Sequence, residues 1–169
     1  MQGDGTMEME ALNQLRKDGT SRPTHVFVQA GVGSLAGAVV GFFANQFPDN
    51  PPMMAVMEAQ AADCLYRSAL AGDGTPRAVE GDLDTIMAGL ACGEANTISW
   101  DILRNHVSVF ISCPDWVAAK GMRILAAPHK GDPQVISGES GAVGTGLLSV
   151  LMESDDYKGL REALQVGPD

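Results

Sequence analysis

The sequence predicts an α/β protein in which a parallel sheet is covered by helices on both faces. Three short segments are continuously apolar, which is typical of strands that are buried on both sides. Stretches with helical character separate these segments, and strands joined by helical crossovers run parallel. The chain has 169 residues, 45% of them hydrophobic, which suits one domain with a packed core.

The first predicted elements are a helix over residues 5–19 and a strand over residues 25–30. Thr6 is a candidate N-cap of the helix, and a glycine follows its end. The apolar side of this helix would comprise Met7, Met9, Leu12 and Leu15. Pro23 then interrupts the chain, and the apolar run that follows has strand character.

The second strand and its flanking helices are predicted between residues 35 and 71. Small and apolar residues form a helix over 35–46, and the proline-rich stretch 48–52 is a loop. Residues 53–57 form a buried strand, and residues 60–71 form the helix that follows it.

The last third of the chain repeats the same alternation. A helix over 99–104 leads into a third strand over 107–112. A proline opens the next helix, which ends at about residue 127. Two further helices are expected over 141–152 and 157–164, and no long linker divides the chain.

Charge and composition exclude several classes of function. The net charge of −10 argues against a protein that tracks nucleic-acid phosphates and against electrostatic binding to membranes. No apolar run reaches the length of a membrane-spanning helix, and the N-terminus lacks the pattern of a signal peptide. Three widely spaced cysteines, Cys64, Cys92 and Cys113, fit buried thiols in a reducing compartment, so we expect a cytoplasmic protein.

A glycine-rich turn between the first strand and its helix is the strongest local signal. Gly31, Val32, Gly33 and Ser34 join the strand to the helix, so backbone N–H groups there would face a bound anion. The match to the dinucleotide-binding fingerprint is partial, because the next glycine is Gly37 and only Glu58 loosely fits the acidic position. The pattern fits either a phosphate site or a tight turn that uses small residues for packing.

Two further segments are candidates for chemistry. Glu139 and Ser140 lie among small residues just before a predicted helix, where Ser137 or Ser140 could equally act as a cap. Cys92 follows a second glycine-containing segment, but no neighbouring histidine would activate it, which favours a structural thiol. The three histidines, His25, His106 and His129, do not have the spacing of a metal site, so no metal is expected.

Four segments in order carry a family resemblance: THVFVQAGVGSLAGAVVGFF, VMEAQAADCLYRSALAGD, DLDTIMAGLACGEANTISWDILRN and VISGESGAVGTGLL. Together they resemble the C-terminal half of the diaminopropionate ammonia-lyases, pyridoxal-phosphate (PLP) enzymes of the tryptophan-synthase-β fold type, or fold type II. Threonine and serine dehydratases share the plan but match the last two segments less well. The resemblance covers nearly all of the chain.

The resemblance implies an activity and a cofactor site. Members of the family eliminate ammonia from 2,3-diaminopropionate, a small amino acid, and yield pyruvate. By the resemblance, Gly31, Val32, Gly33 and Ser34 match the loop that holds the PLP phosphate. Glu139 and Ser140 match the segment that passes near the cofactor ring.

The resemblance also implies that parts of the catalytic apparatus are missing. In this fold type the lysine that forms a Schiff base with PLP and an acidic proton-transfer residue belong to the N-terminal half. None of the four lysines, Lys17, Lys120, Lys130 and Lys158, lies in that lysine motif, so no catalytic residue is assigned. We therefore expect residues 1–169 to be one incomplete α/β domain, part of the large PLP-binding domain. This piece would be inactive alone, or it would act as a homodimer or with a complementing chain. The alternative is a non-catalytic module that binds PLP or phosphate.

Overall fold

A three-stranded parallel sheet forms the centre of the computed structural model, which describes residues 5–167. The strands are β1 (His25–Gln29), β2 (Met53–Ala59) and β3 (Val109–Cys113), in the spatial order β1-β2-β3. His25 pairs with Met53, and Ala55 pairs with Val109. The predicted parallel sheet is confirmed, although β2 runs two residues further than expected.

Seven helices surround the sheet within the described residues. They are α1 (Gly5–Lys17), α2 (Ser34–Gln46), α3 (Cys64–Ala71), α4 (Thr97–His106), α5 (Asp115–Ala126), α6 (Glu139–Glu153) and α7 (Lys158–Ala163). Short 3-10 turns occur at Gln60–Ala62, Ala88–Leu90 and Asp155–Tyr157. The helix expected over 60–71 is thus divided between a 3-10 turn and α3, since Asp63 between them has a non-helical backbone conformation.

Two apolar cores lie on opposite faces of the sheet, as predicted for a sheet covered on both sides. Alternate residues of β2 point into different cores, because side chains alternate along a strand. Ala55 and Met57 pack with α5 and α6, whereas Met54 and Val56 pack with α2, α3 and α4. All positions of β2 after its first residue are buried, which is why its sequence is continuously apolar up to Glu58.

Helix α1 packs differently from the expectation. Met7 and Met9 are exposed, while Leu12 and Glu8 are buried. The prediction that the methionines share the buried side was wrong. Helix α1 packs against α2, and the positions that it buries are residues 8 and 12, which lie four apart on one helix face. Thr6 lies inside the first turn and is not the cap that was expected.

Glycines allow unusually close helix packing on both faces. A Cβ on Gly37 of α2 would lie 3.0 Å from the Cβ of Ser99 in α4. On the other face, a Cβ on Gly146 of α6 would overlap the carbonyl oxygen of Val117 in α5. These glycines set the helices at distances that a larger residue would prevent, and Gly37 therefore serves packing rather than a dinucleotide fingerprint.

Candidate functional site

The glycine turn lies at the carboxyl end of β1. Ala30 continues the strand by donating its N–H to the Met57 carbonyl oxygen at 2.8 Å, and the chain then turns into α2. Gly33 has a φ of 93°, in the left-handed region that favours glycine. A Cβ there would also lie 3.1 Å from Leu103 Cδ1 and 3.3 Å from Leu65 Cδ1. Gly33 is therefore required both by backbone conformation and by space.

Helix α2 presents free N–H groups at this turn. Ser34 is its first residue, and the first N–H groups of a helix have no acceptor within the helix. Gly33 precedes the helix and supplies no side-chain cap, and no acidic residue lies in the first turn. The partial positive charge of the helix N-terminus is therefore not neutralised by the helix's own side chains.

A cavity of about 300 Å³ opens beside the turn. It joins three segments that are far apart in sequence, which are the glycine turn, the segment around Gly89 and the start of α6. Its lining residues are Gln29, Ala30, Gly31, Val32, Gly33, Ser34, Leu35, Gly89, Leu90, Cys92 and Ser140. All three segments were singled out from the sequence, and the fold brings them to one place.

Close approaches define the walls of the cavity. A Cβ on Gly31 would lie 3.1 Å from Cys92 Sγ and 3.2 Å from the Gly89 carbonyl oxygen. A Cβ on Gly89 would lie 3.3 Å from Ser140 Oγ. That hydroxyl is buried and has no hydrogen-bond partner among the described residues. Because buried polar groups are normally satisfied, a hydroxyl left without a partner at a cavity is a position for a polar ligand.

The remaining predicted residues lie around this cavity in different ways. Val32 is 38% exposed, and its carbonyl oxygen accepts a hydrogen bond from the Asn96 N–H at 2.7 Å. Glu139 is the first residue of α6, is half-buried and is not among the lining residues. Neither Ser137 nor Ser140 caps α6, because Gly138 occupies the cap position. The role of Glu139 stays a prediction.

An aspartate that the sequence analysis did not single out holds one wall in place. Asp115, the first residue of α5, accepts hydrogen bonds from the Thr85 hydroxyl and from the Ile86 N–H, the latter at 3.1 Å. This segment leads directly to Gly89 and Leu90 at the cavity. Thr85 and Ile86 precede Asp115 by about thirty positions, so no local sequence pattern indicates this role of Asp115.

Glu58 is fully buried and does not line the cavity, contrary to a role as a ribose-binding acid. Burial raises the pKa of its carboxyl group to about 7, although hydrogen bonds from the N–H groups of Leu65 and Tyr66 act in the opposite direction. Burial, with the nearby Glu58 carboxylate, also raises the pKa of the Cys64 and Cys113 thiols to about 12. The two thiols are buried, as predicted, and the raised pKa disfavours the reactive thiolate form.

None of the four lysines of the chain lines the cavity. Lys120 pairs with Glu153 on the surface, and Lys158 lies at the start of α7. Residues 5–167 hold no cluster of side chains suited to a metal ion. Over the same range, no helix is both long enough and apolar enough to cross a membrane.

Comparisons with known proteins agree with this geometry. The model of the family described as pyridoxal-phosphate dependent enzyme matches residues 1–158. The chain is 53% identical over 167 residues to diaminopropionate ammonia-lyase from Salmonella typhimurium, and the match covers 98% of this chain and 41% of that protein. The chain spans about two fifths of the length of the curated relatives it matches.

Solved structures give the same fold. The crystal structure of Escherichia coli diaminopropionate ammonia lyase in complex with the aminoacrylate-PLP azomethine reaction intermediate matches with a TM-score of 0.88 and 46% identity, covering 100% of this chain and 42% of that chain. A fungal L-serine ammonia-lyase from Rhizomucor miehei matches with a TM-score of 0.74 and 21% identity, covering 97% and 46%. The latter likeness concerns the fold alone. Together these matches confirm the predicted fold class.

Proposed function

This chain belongs to the family of pyridoxal-phosphate dependent enzymes, and on that premise we propose that it is part of an ammonia-lyase. With one molecule of water, the reaction would convert 2,3-diaminopropionate, a small amino acid, to pyruvate and two molecules of ammonia. The identities of 53% and 46% to diaminopropionate ammonia-lyases support this assignment. They favour it over a threonine or serine dehydratase, since the serine ammonia-lyase is only 21% identical.

The observation that carries the proposal is the cavity at the end of β1. A phosphate group needs several N–H donors and a backbone that it can approach closely, and a glycine turn at a helix N-terminus supplies both. The unpartnered hydroxyl of Ser140, which lines the same cavity beside Gly89, adds a polar group. The residues present therefore fit PLP, a ligand with an anionic end and a polar ring.

Each predicted residue would have a distinct part in holding PLP. The N–H groups around Gly31, Val32, Gly33 and Ser34 would bind the phosphate and thereby fix the position of the ring. Ser140 would border the ring, and Glu139, which precedes it in α6 but does not line the cavity, would lie near the ring. When bound, PLP supplies the electron sink for bond breaking at the amino-acid substrate, while the chain binds and orients it.

The lysine that links PLP to the enzyme would come from outside these 169 residues. None of the four lysine amines borders the cavity, which supports this assignment. Residues 1–169 would then be one incomplete domain that acts as a homodimer or with a complementing chain. The outer strands β1 and β3 are only partly buried, which suits further association along the sheet.

A non-catalytic PLP- or phosphate-binding module is the second candidate. It is favoured by one observation, namely that the cavity offers donors for a phosphate but no lysine amine. A cytoplasmic location is also proposed, supported by three cysteines that are free in the structure.

The first experiment compares PLP with pyridoxal, which lacks the phosphate. The purified chain should bind PLP reversibly and pyridoxal much more weakly, because the N–H donors recognise the phosphate. After borohydride reduction, peptide mass mapping should find no stoichiometric adduct on Lys17, Lys120, Lys130 or Lys158. Equal affinity for the two compounds would contradict the phosphate site.

A complementation assay separates the enzyme from the binding module. The chain alone should not release pyruvate from 2,3-diaminopropionate. Co-expression with the preceding, lysine-bearing part of the Salmonella typhimurium relative should restore pyruvate release if the chain is part of a lyase. Turnover by the chain alone would contradict the external lysine, and PLP binding without complementation would favour the module.

A further inference from the structure

Glu58 is the next-to-last residue of the central strand β2, and its carboxylate reaches the start of α3. Its Oε1 accepts a hydrogen bond from the Leu65 N–H at 2.8 Å, and its Oε2 accepts one from the Tyr66 N–H at 2.6 Å. These N–H groups belong to the first turn of α3 and have no acceptor within the helix. Glu58 therefore caps α3 from the neighbouring strand.

The cap is needed because α3 has no other one. Asp63 occupies the cap position, yet its side chain makes no capping hydrogen bond. Its carboxylate is instead bound by Arg67 Nε at 2.7 Å and by the Ser112 hydroxyl at 2.8 Å. Without Glu58, the buried N–H of Leu65 and the partly buried N–H of Tyr66 would lose their acceptors.

The first turn of α3 in turn supports the glycine turn. The Leu65 side chain lies against Gly33, since a Cβ there would be 3.3 Å from Leu65 Cδ1 and 3.6 Å from Cδ2. Cys64 Sγ lies 3.9 Å from the Gly31 carbonyl oxygen and 3.7 Å from Glu58 Oε1. Two adjacent residues of α3 thus contact the two glycines of the turn, and both are held by one carboxylate.

We propose that Glu58 is a positioning residue for the phosphate site: by holding the first turn of α3, it fixes Leu65 and Cys64 against the glycine turn. The glycine turn has little side-chain structure of its own to hold its N–H groups in place. Its geometry therefore depends on what packs behind it. Glu58 does not line the cavity, so its effect on binding would pass through α3.

This inference rests on the proposed binding of PLP at the glycine turn, and its test measures that binding directly. The quantity to measure is the ratio of the dissociation constant for pyridoxal to that for PLP, because this ratio isolates the contribution of the phosphate. In Glu58→Gln, one N–H of α3 faces an amide NH2 instead of an oxygen. We expect the ratio to fall about 10- to 100-fold, as for the loss of one charge-assisted hydrogen bond to the phosphate.

Val117→Ala is the matched control for a general loss of stability. Val117 is buried in the core on the opposite face of the sheet and does not line the cavity. Its replacement should lower the free energy of unfolding and leave the pyridoxal-to-PLP ratio unchanged. A merely structural role of Glu58 would make the two variants behave alike.

Leu65→Val decides the question if Glu58→Gln does not fold. It leaves the backbone hydrogen bonds to Glu58 intact but shortens the side chain that lies behind Gly33, so the same ratio should fall. If Glu58→Gln folds and its pyridoxal-to-PLP ratio is unchanged, the inference is overturned. If Glu58→Gln does not fold, an unchanged ratio in Leu65→Val overturns it. An equal loss in Val117→Ala would do the same. If the wild-type chain itself shows no preference for PLP, the proposed phosphate site fails, a result that is distinct from failure of Glu58 alone.

Discussion

Replacing Ser34 by aspartate should separate the stability of the chain from its binding of phosphate. Ser34 is the first residue of α2, whose first turn carries no acidic side chain and has no side-chain cap. A carboxylate at a helix N-terminus is stabilising by about 0.3–1 kcal/mol. Ser34→Asp should therefore unfold at the same temperature as the wild-type chain or a slightly higher one.

The same carboxylate should weaken the binding of PLP. Ser34 lines the cavity, so its carboxylate would lie close to the phosphate. Two unit charges about 5 Å apart repel by about 0.8 kcal/mol in water and by about 3 kcal/mol at an effective dielectric constant of 20. For a phosphate with about two negative charges, the cost of binding is about 2–6 kcal/mol, so the dissociation constant should rise about 30-fold or more.

Thermal unfolding and titration with PLP test both halves of this prediction on the same sample. The control is Thr6→Asp, which adds the same charge to the first turn of α1 at an exposed position outside the cavity. It should leave PLP affinity unchanged. Undiminished PLP affinity in stable Ser34→Asp would refute the assignment of the phosphate to the N-terminus of α2.

Three further predictions concern stability and the cavity wall. Gly146→Ala should lower the free energy of unfolding by about 1–3 kcal/mol or more in urea denaturation, because its Cβ would overlap the backbone of α5. Asp115→Asn should speed amide hydrogen exchange in residues 85–90 and weaken PLP binding about tenfold, because one of two hydrogen bonds behind Gly89 is lost. In the folded chain the pKa of the Glu58 carboxyl group is about 7, above its ordinary value of 4.5. Folding therefore favours the neutral acid, and the free energy of unfolding should fall by about 3 kcal/mol as the pH rises from 4.5 to 7. Urea denaturation across this pH range should show that fall in the wild-type chain and its loss in Glu58→Gln.

Each of these predictions has a result that would count against it. Gly159→Ala is the control for Gly146, since a Cβ there meets nothing within 4 Å, and equal effects of the two would dismiss the packing argument. Unchanged hydrogen exchange in Asp115→Asn would show that this aspartate does not hold the wall. The same pH dependence in Glu58→Gln as in the wild-type chain would show that another group titrates.

The sequence was sufficient where the determining contacts are local. The strand–turn–helix unit around Gly31 and Gly33 could be predicted because an apolar strand, a left-handed glycine and a helix N-terminus follow one another within a few residues. The family resemblance worked in the same way, through contiguous segments. Even the end of α1 was close to the expected residue, since Gly19 with its positive φ follows it.

Predictions from periodicity alone were less secure. The apolar pattern of α1 placed Met7 and Met9 on the buried side, yet the helix buries Glu8 and Leu12. A period identifies a helix, but the choice among adjacent faces depends on the partner helix. Similarly, Glu58 could be read only as a loose ribose-binding candidate, because nothing near it in sequence indicates that its partners are the N–H groups of α3.

Steric preferences and burial patterns of neighbouring residues encode the fold class, the order of the elements and the glycine turn, so these features could be predicted without the structure. The structure was needed to show that Gly31, Gly89 and Ser140 border one cavity, that Asp115 accepts hydrogen bonds from the segment leading to Gly89, and that Leu65, whose N–H donates to Glu58, packs against Gly33. These relations join residues that are distant along the chain. They depend on how helices pack across the sheet and on which polar groups lose contact with water, and no local pattern specifies either.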